Sequence, residues 1–507
     1  MKFEHKASLY YMYLFILVFF LIGFFLRAQE TISGNFLFLL DSGRDMMDVK
    51  KIVFDHTLTL IGPYTSLGGV FQGPLYYYLL SVPTCIFQGN PLGNILLMLL
   101  LSMSVVIFAY YFMNRYFGYI AAGITFTLFI FSPEAIAAAT YFWNPHPMWI
   151  LILIYIFAIY GALLDDKRMQ LIVFPIIFLS FHFEMAFGVF LLISTVLFLL
   201  IFNTKLLLHC KRIQFGFLLG CLFLLPQIVF DLRHDFLMTR SIIKLLLGSN
   251  QGLTALGEYR GFVSVSQGNA GVFIGNLLSS FPRVNGFQAF PEFVFLLTAG
   301  VLLYAIHAKI FAKKELLFIY KISTLGVIIF ILCYLYPFPL RYWFLTGFQT
   351  FYLVLTGLIL SKLYRFKIGK IILVCLLGIY ISYGVQRLDM LYIHPPDNGG
   401  TAKIQGKIQA IDYIYQDANN EEFGVKVFTP PVLTDAYDYL LWWYGKKKYG
   451  YLPHSTMMGT VYLLIEPDST KPWSYQGWLD TVIKTGMIEF TKTLPSGFII
   501  QKRHIGI

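Results

Sequence analysis

"SLYYMYLFILVFFLIGFFL", residues 8–26, carries no charged side chain and is one of a series of such runs that continues to residue 386. A helix needs about 20 apolar residues to cross roughly 30 Å of hydrocarbon. The run follows Lys2 and Lys6 as a secretory signal would. It is nevertheless too long for the apolar core of a signal and lacks a small-x-small cleavage site, so it reads as a retained first membrane span. Only 13% of the 507 residues are charged and 57% are hydrophobic, with a mean hydropathy of +0.68. Soluble chains carry about 25% charge, so this composition belongs to an integral membrane protein.

The net charge of +11 raises the question of a nucleic-acid partner. The positions of the basic residues answer it. Lys2 and Lys6, Arg115, Lys167 with Arg168, Lys205 with Lys211 and Arg212, Lys309 with Lys313 and Lys314, and the group from Lys362 to Lys370 sit in alternate connections between apolar runs. That is the positive-inside pattern, so the charge reports topology and no nucleic acid is expected. Placing these clusters in the cytoplasm predicts spans near 9–27, 92–113, 117–133, 147–164, 169–183, 185–202, 213–230, 291–310, 316–336, 343–361 and 371–386. The expected fold is an all-α polytopic membrane protein with about eleven transmembrane helices, its N-terminus cytoplasmic and its C-terminus outside.

Two outer connections, 28–91 and 231–290, are long enough to be functional rather than merely connective. Within the first, "GPLYYYLLSVPTCIF" (73–87) is apolar and aromatic but short and interrupted by proline, which suggests a helix at the membrane interface, where Tyr is favoured. After residue 386 the texture changes at "HPPDNGGTAK" (394–403) to ordinary soluble character. "KIQAIDYIYQDA" (407–418), "AYDYLLWWYGKKKYG" (436–450) and "WLDTVIKTGMI" (478–488) read as helices, and "FGVKVFT" (423–429), "VYLLIEP" (461–467) and "GFIIQKR" (497–503) as strands. The chain therefore divides into a membrane domain, 1–386, and a small extracytoplasmic α/β domain, 387–507. Cys85, Cys210, Cys221, Cys333 and Cys375 all lie in or beside apolar runs and suggest neither a disulfide framework nor a zinc site.

Against that apolar background, "DSGRDMMDVKK" (41–51) is dense in charge. As a helix it would put Asp41, Arg44, Asp45 and Asp48 at i, i+3, i+4 and i+7, on one face. A purely structural account makes Asp41 an N-cap and Arg44 with Asp48 an i,i+4 pair. The functional account rests on Asp41, which directly follows "FLFLL" at the membrane edge.

The same stretch, followed by "GPYTSLGGVFQGPLYYYLL" (62–80), resembles the opening of bacterial GT-C-type glycosyltransferases related to protein O-mannosyltransferases and aminoarabinose transferases. "YFWNPHPM" (141–148), "FHFEMAFG" (181–188) and "YPFPLRYW" (336–343) continue the likeness through most of the membrane part. The resemblance implies a membrane enzyme that takes a sugar from a polyprenyl-phosphate donor. It would pass the sugar to a glycan, lipid or protein acceptor on the extracytoplasmic side of the cell membrane, with inversion. Relatives often carry Asp-Glu where this chain has Asp41-Ser42, so a role for a second carboxylate has no equivalent, and the reaction is expected to need no cofactor and at most a weak contribution from a metal.

Transfer from a sugar phosphate needs a base for the acceptor's proton and cations to steady the departing phosphate. Asp41 is the expected base. Arg341, at the outer end of a span, is the expected phosphate ligand, since a guanidinium forks onto phosphate oxygens. Its structural alternative is an interfacial anchor. Arg44, Asp45, Asp48, Tyr77, Asn144, His182 and Glu184 complete the expected substrate-binding set, with turn chemistry an equal account of Asn144. An aromatic belt accounts equally well for Tyr77, and His182-x-Glu184 lacks the third residue of a metal set. Two other functions remain open: a transporter or flippase for a lipid-linked sugar, and a noncatalytic partner in glycan assembly.

Overall fold

The computed structural model describes residues 2–247, 262–393, 400–430, 433–468 and 470–506. Parts of the expected outer loop (248–261) and of the linker (394–399) lie outside them. Among the described residues six helices are long and apolar enough to cross a membrane: Leu14–Ser33, Leu92–Phe117, Met185–Phe202, Phe290–His307, Lys313–Leu335 and Lys367–Ile393. A seventh arises if Lys211–Leu222 and Leu225–Arg233, bent by 44° at their junction, act together. The expectation of about eleven transmembrane helices is thereby corrected. The stretches that fall away are 117–133, 147–164, 169–183 and 343–361, and they hold helices of 13, 16, 14 and 12 residues (Tyr119–Phe131, Met148–Leu163, Lys167–Ser180 and Gln349–Leu360). At 1.5 Å per residue these reach about 18–24 Å, short of the hydrocarbon thickness. Hydropathy alone had counted apolar loop residues at their ends as helix.

Such short helices serve the interior. Met148–Leu163 is apolar on every side and almost wholly buried, as expected of a helix at the centre of a bundle. Leu92–Phe117, Lys167–Ser180, Lys313–Leu335 and Gln349–Leu360 pack around it. Lys211–Leu222 lies close along Lys167–Ser180 through Gly216 and Gly220, where an added Cβ would come within 2.4 Å of the Leu171 carbonyl and 2.3 Å of the Phe178 ring. Small residues four apart let two membrane helices approach in this way. Tyr119–Phe131 stops before Ser132-Pro133, because the residue before proline avoids the helical region and the proline has no N–H to give. The carbonyls left over are met by Arg27, fully buried in the first span, which donates to Phe129 at 2.8 Å and Ile130 at 3.0 Å.

Beyond the spans a four-stranded sheet runs in the order β1-β2-β4-β3, with β1 Gly424–Phe428, β2 Gly459–Ile465, β3 Met487–Thr493 and β4 Ile499–Ile505. The β1–β2 pair is parallel and the others antiparallel. β3 falls partly in a stretch read as helix. Helical turns end at Ile483, Gly486 turns the chain with φ 102°, and a mostly exposed strand follows whose apolar pattern is weak.

This C-terminal unit is fastened to the first outer loop. Phe38 N–H donates to Ala402 O and Ile404 N–H to Phe36 O, at 3.1 and 3.0 Å. Helix Asp435–Leu440 packs on helix Leu40–Val53 at Gly43, where a Cβ would lie 2.2 Å from the Ala436 nitrogen. The helix that carries Asp41 is thus gripped from outside by the C-terminal unit and from below by helix Leu75–Ile86.

Candidate active site

Helix Leu40–Val53 begins one residue before Asp41, with Leu39 in the N-cap position. Asp41 therefore belongs to the first helical turn instead of capping it. Its carboxylate, 47% exposed, pairs with Arg44 Nη1 at 3.0 Å. Arg44 also turns inward, and its Nε and Nη2 donate to Asp45 Oδ1 at 2.9 and 2.8 Å. Tyr77 Oη, from the helix below, donates to the same oxygen at 3.3 Å. Asp48 pairs instead with Lys51 at 2.7 Å, on the more exposed side. The i,i+4 pairing of Arg44 with Asp48 is thus replaced by a bridge in which Arg44 joins a half-exposed Asp41 to a fully buried Asp45. Burial pushes the Asp45 carboxyl up to about 6, against the pull of the Arg44 guanidinium.

A cavity of about 570 Å³ opens beside Asp41 and Arg44. Tyr64, Thr65 and Gln72 from the first loop, and Trp143 with Asn144, form its polar side. Val189, Phe190, Ile242 and Leu245 make a long apolar wall. Glu184 also lines it, at the edge of span Met185–Phe202. The turn that holds Glu184 is fixed from two sides: Asn144 Nδ2 donates to Phe183 O at 2.6 Å, and Gln72 Oε1 accepts from Met185 N–H at 2.7 Å.

Of the residues singled out from sequence, Asp41, Arg44, Asn144 and Glu184 meet in this cavity. Asp45, Tyr77 and Asp48 lie outside its lining. His182 is buried with both ring nitrogens engaged, Nδ1 accepting from Leu75 N–H at 3.3 Å and Nε2 within 2.9 Å of Phe223 O. It ties three segments together. Arg341 sits half-buried with its guanidinium 5.8 Å from the Trp343 ring, next to residues 342–344 of the lining but outside it. Sequence reasoning did not single out Tyr64, Gln72, Trp143, Tyr336 or Tyr342, all of which line the cavity. Each lies in a stretch quoted for its resemblance; Tyr64, Gln72 and Tyr336 stand directly beside Gly or Pro, whereas Trp143 and Tyr342 carry no such signal. Among the described residues no three of His, Cys, Asp and Glu converge as metal ligands.

Glu184 is 3% exposed, and burial pushes its carboxyl up to about 8, with the Ala186 N–H pulling the other way. The folded protein therefore holds a proton that the unfolded chain, at the ordinary value of 4.5, would release. Stability from this group is complete below about pH 4.5 and lost as pH rises through about 8. Glu184→Gln should gain on the wild type by on the order of 3–5 kcal/mol between pH 5 and 8.5. Paired thermal melts across that range would show it, and parallel profiles would mean that Glu184 is hydrated.

The overall architecture is shared with solved structures at low identity. The chain superposes on the crystal structure of ArnT from Cupriavidus metallidurans bound to undecaprenyl phosphate with a TM-score of 0.59, covering 97% of this chain and 98% of that one at 11% identity. The apo state of that protein gives 0.50 over 98% of each chain, also at 11% identity. The Archaeoglobus fulgidus oligosaccharyltransferase, crystallised with Zn and sulfate, gives 0.51 over 96% of this chain and 72% of that one at 12% identity. The fold is thus shared with these structures. No family model and no curated protein sequence matches the chain.

Proposed function

We propose that this chain is a membrane glycosyltransferase that moves a sugar from a polyprenyl-phosphate carrier to an acceptor hydroxyl on a glycan, lipid or protein, on the extracytoplasmic side of the membrane. One observation carries the reading. One cavity is lined both by the Asp41–Arg44 pair and by the apolar side chains of Val189, Phe190, Ile242 and Leu245, which suits a charged headgroup on a lipid chain. The undecaprenyl phosphate in the ArnT crystal supports the same class of donor.

In the proposed step the acceptor oxygen bonds to the anomeric carbon while its proton passes to the Asp41 carboxylate. The bond from that carbon to the phosphate oxygen breaks, and its electron pair leaves with polyprenyl phosphate. A single displacement inverts the anomeric carbon. Asp41 is the base, and Arg44, anchored by Asp45 and Tyr77, aims it and offsets its repulsion from the donor. Arg341 meets the phosphate as the donor seats. Asn144 and Glu184 bound the sugar side, while Asp48 and His182 hold the surrounding loops. No metal is invoked, because Ser42 follows Asp41 where a second carboxylate would be needed. In this assignment residues 1–386 do the chemistry, and residues 387–507 hold the Asp41 helix in place from outside.

The test is release of polyprenyl phosphate from a supplied lipid-phosphate sugar by the purified protein in the presence of candidate acceptors. A flippase moves the lipid without cleaving it, and a noncatalytic partner leaves it intact. Arg341→Lys should slow release roughly 10- to 100-fold, the equivalent of about 1.5–3 kcal/mol, because an ammonium cannot reproduce a forked contact with phosphate. Undiminished release and donor affinity in a folded Arg341→Ala protein would make Arg341 an interfacial anchor.

A further inference from the structure

A second, smaller cavity lies across a shared wall. It has a volume of about 290 Å³, and Trp143 and Tyr342, their ring centroids 6.2 Å apart, border both cavities. Ligand cavities run from about 300 Å³ upward, so there is room for one small unit rather than a chain. Tyr141 and Trp149 add two more aromatic rings to the lining. Glu134, Asn276 and Gln349 contribute side-chain oxygens, and no Lys or Arg lines it among the described residues.

Two of those oxygens are unmet. Gln349 Oε1 and Asn276 Oδ1 are buried without a hydrogen-bond partner among the described residues, in side chains that are 3% and 9% exposed. A buried acceptor left unpaired is costly, so a ligand that brings donors is favoured there. The cavity is also close to the proposed base. The Tyr141 phenol is held above its ordinary value by burial first, then by Tyr342, Glu134 and the charge of Asp41.

We propose that this cavity is a saccharide subsite, which takes one uncharged sugar ring by stacking it on the Trp143–Tyr342 wall and accepting its hydroxyls at Gln349 Oε1 and Asn276 Oδ1. A sugar ring offers O–H donors around its edge and apolar C–H groups on its face, and the lining has a partner for each. A phosphate would find no cation among the lining residues. A lipid tail would leave both amide oxygens unpaired. The ring could belong to the donor or to the acceptor, and that choice rests on the transferase reading given above; binding of the ring does not.

The experiment uses the full chain in detergent, with methyl glycosides of glucose, galactose, mannose and N-acetylglucosamine as probes and saturation-transfer NMR as the readout. At least one glycoside should bind. Gln349→Met should raise its Kd about tenfold, while Gln349→Glu, which keeps an acceptor oxygen at the same place, should stay within about threefold of the wild type. Absence of binding by all four, or equal binding by wild type and a Gln349→Met protein of matched thermal stability, overturns the proposal. The source of the ring is then read from lipid titrations. If it is the donor's, Gln349→Met weakens binding of the sugar-linked lipid but not of bare polyprenyl phosphate. If it is the acceptor's, both lipids bind as before and the KM for acceptor rises about tenfold at constant kcat. Glycoside binding by a protein that never releases polyprenyl phosphate would keep the subsite and remove the transferase reading.

Discussion

Asp41→Asn should slow sugar transfer by roughly 10² to 10⁴, the usual worth of a positioned general base, and leave the protein folded. Asparagine keeps the shape of the side chain but takes no proton at working pH. Little stability is at stake. The residue is not the helix cap, since Leu39 holds that position. Its ion pair with Arg44 is half-exposed, and exposed pairs contribute about 1 kcal/mol or less. The dipole of the first helical turn adds a similar small term. The measurement is polyprenyl phosphate released by purified wild type and variant with matched melting temperatures. Asp48→Asn is the control, because Asp48 lies outside the cavity lining and pairs with Lys51, and it should cost far less. Near-normal transfer by Asp41→Asn would remove the assigned base and favour the noncatalytic reading.

Arg44→Met should destabilise the protein by about 3–5 kcal/mol, the cost of leaving a buried charge without its partner. Asp45 has no exposed surface, and its Oδ1 takes two donors from Arg44 and one from Tyr77. With Arg44 gone only the tyrosine remains. The carboxyl must then stay buried as an anion or hold a proton, and the cost depends on pH accordingly. In the wild type burial already raises Asp45 from 3.8 to about 6, so its contribution to stability is complete below about pH 3.8 and lost as pH passes 6. Arg44 opposes that rise. Without it the proton binds more tightly still, and the variant's deficit should be smallest at low pH and widen above pH 6. Asp45→Leu added to Arg44→Met should recover most of the loss, because a neutral pair needs no partner. Chemical denaturation of the single and double variants at pH 5 and pH 8 decides this. A single variant as stable as the wild type at pH 8 would mean that water reaches Asp45.

The two results report on different parts of one device. Gly43, between Asp41 and Arg44 in the chain, lets Ala436 of the C-terminal unit come against the helix backbone. On the opposite side Tyr77 and Asp45 hold Arg44 from within the bundle. The carboxylate proposed as the base is therefore placed by contacts on both sides of its helix, and its own hydrogen bonds contribute little to that placement.

Much of this protein could be read from composition and order alone. A chain with 13% charge and repeated apolar runs belongs in a bilayer because hydrocarbon cannot solvate charge. The charge-dense stretch 41–51 stood out for the same reason, and the order of the motifs resembled that of GT-C-type glycosyltransferases. These properties are local and additive, so they survive in one dimension. The number of spans did not. Hydropathy measures how apolar a window is, whereas crossing depends on how long the helix continues, and helices such as Met148–Leu163 are apolar because they are buried in protein. The partner of Arg44 was not legible either. Spacing along one helix favours Asp41 (i−3) and Asp48 (i+4) over the adjacent Asp45 as partners of Arg44, and only the packing of helix Leu75–Ile86, with Tyr77, makes Asp45 the buried one. His182 and Arg341 show the same division. A histidine in sequence is two ring nitrogens with open roles, and three folded segments closed both of them. An arginine among aromatics has open partners in sequence, and the turn at Tyr342–Leu345 brings its guanidinium within 5.8 Å of the ring of Trp343, a cavity-lining residue. Sequence determined which solvent each segment prefers; tertiary structure decided which side chains meet, because a meeting depends on distances between segments far apart in the chain.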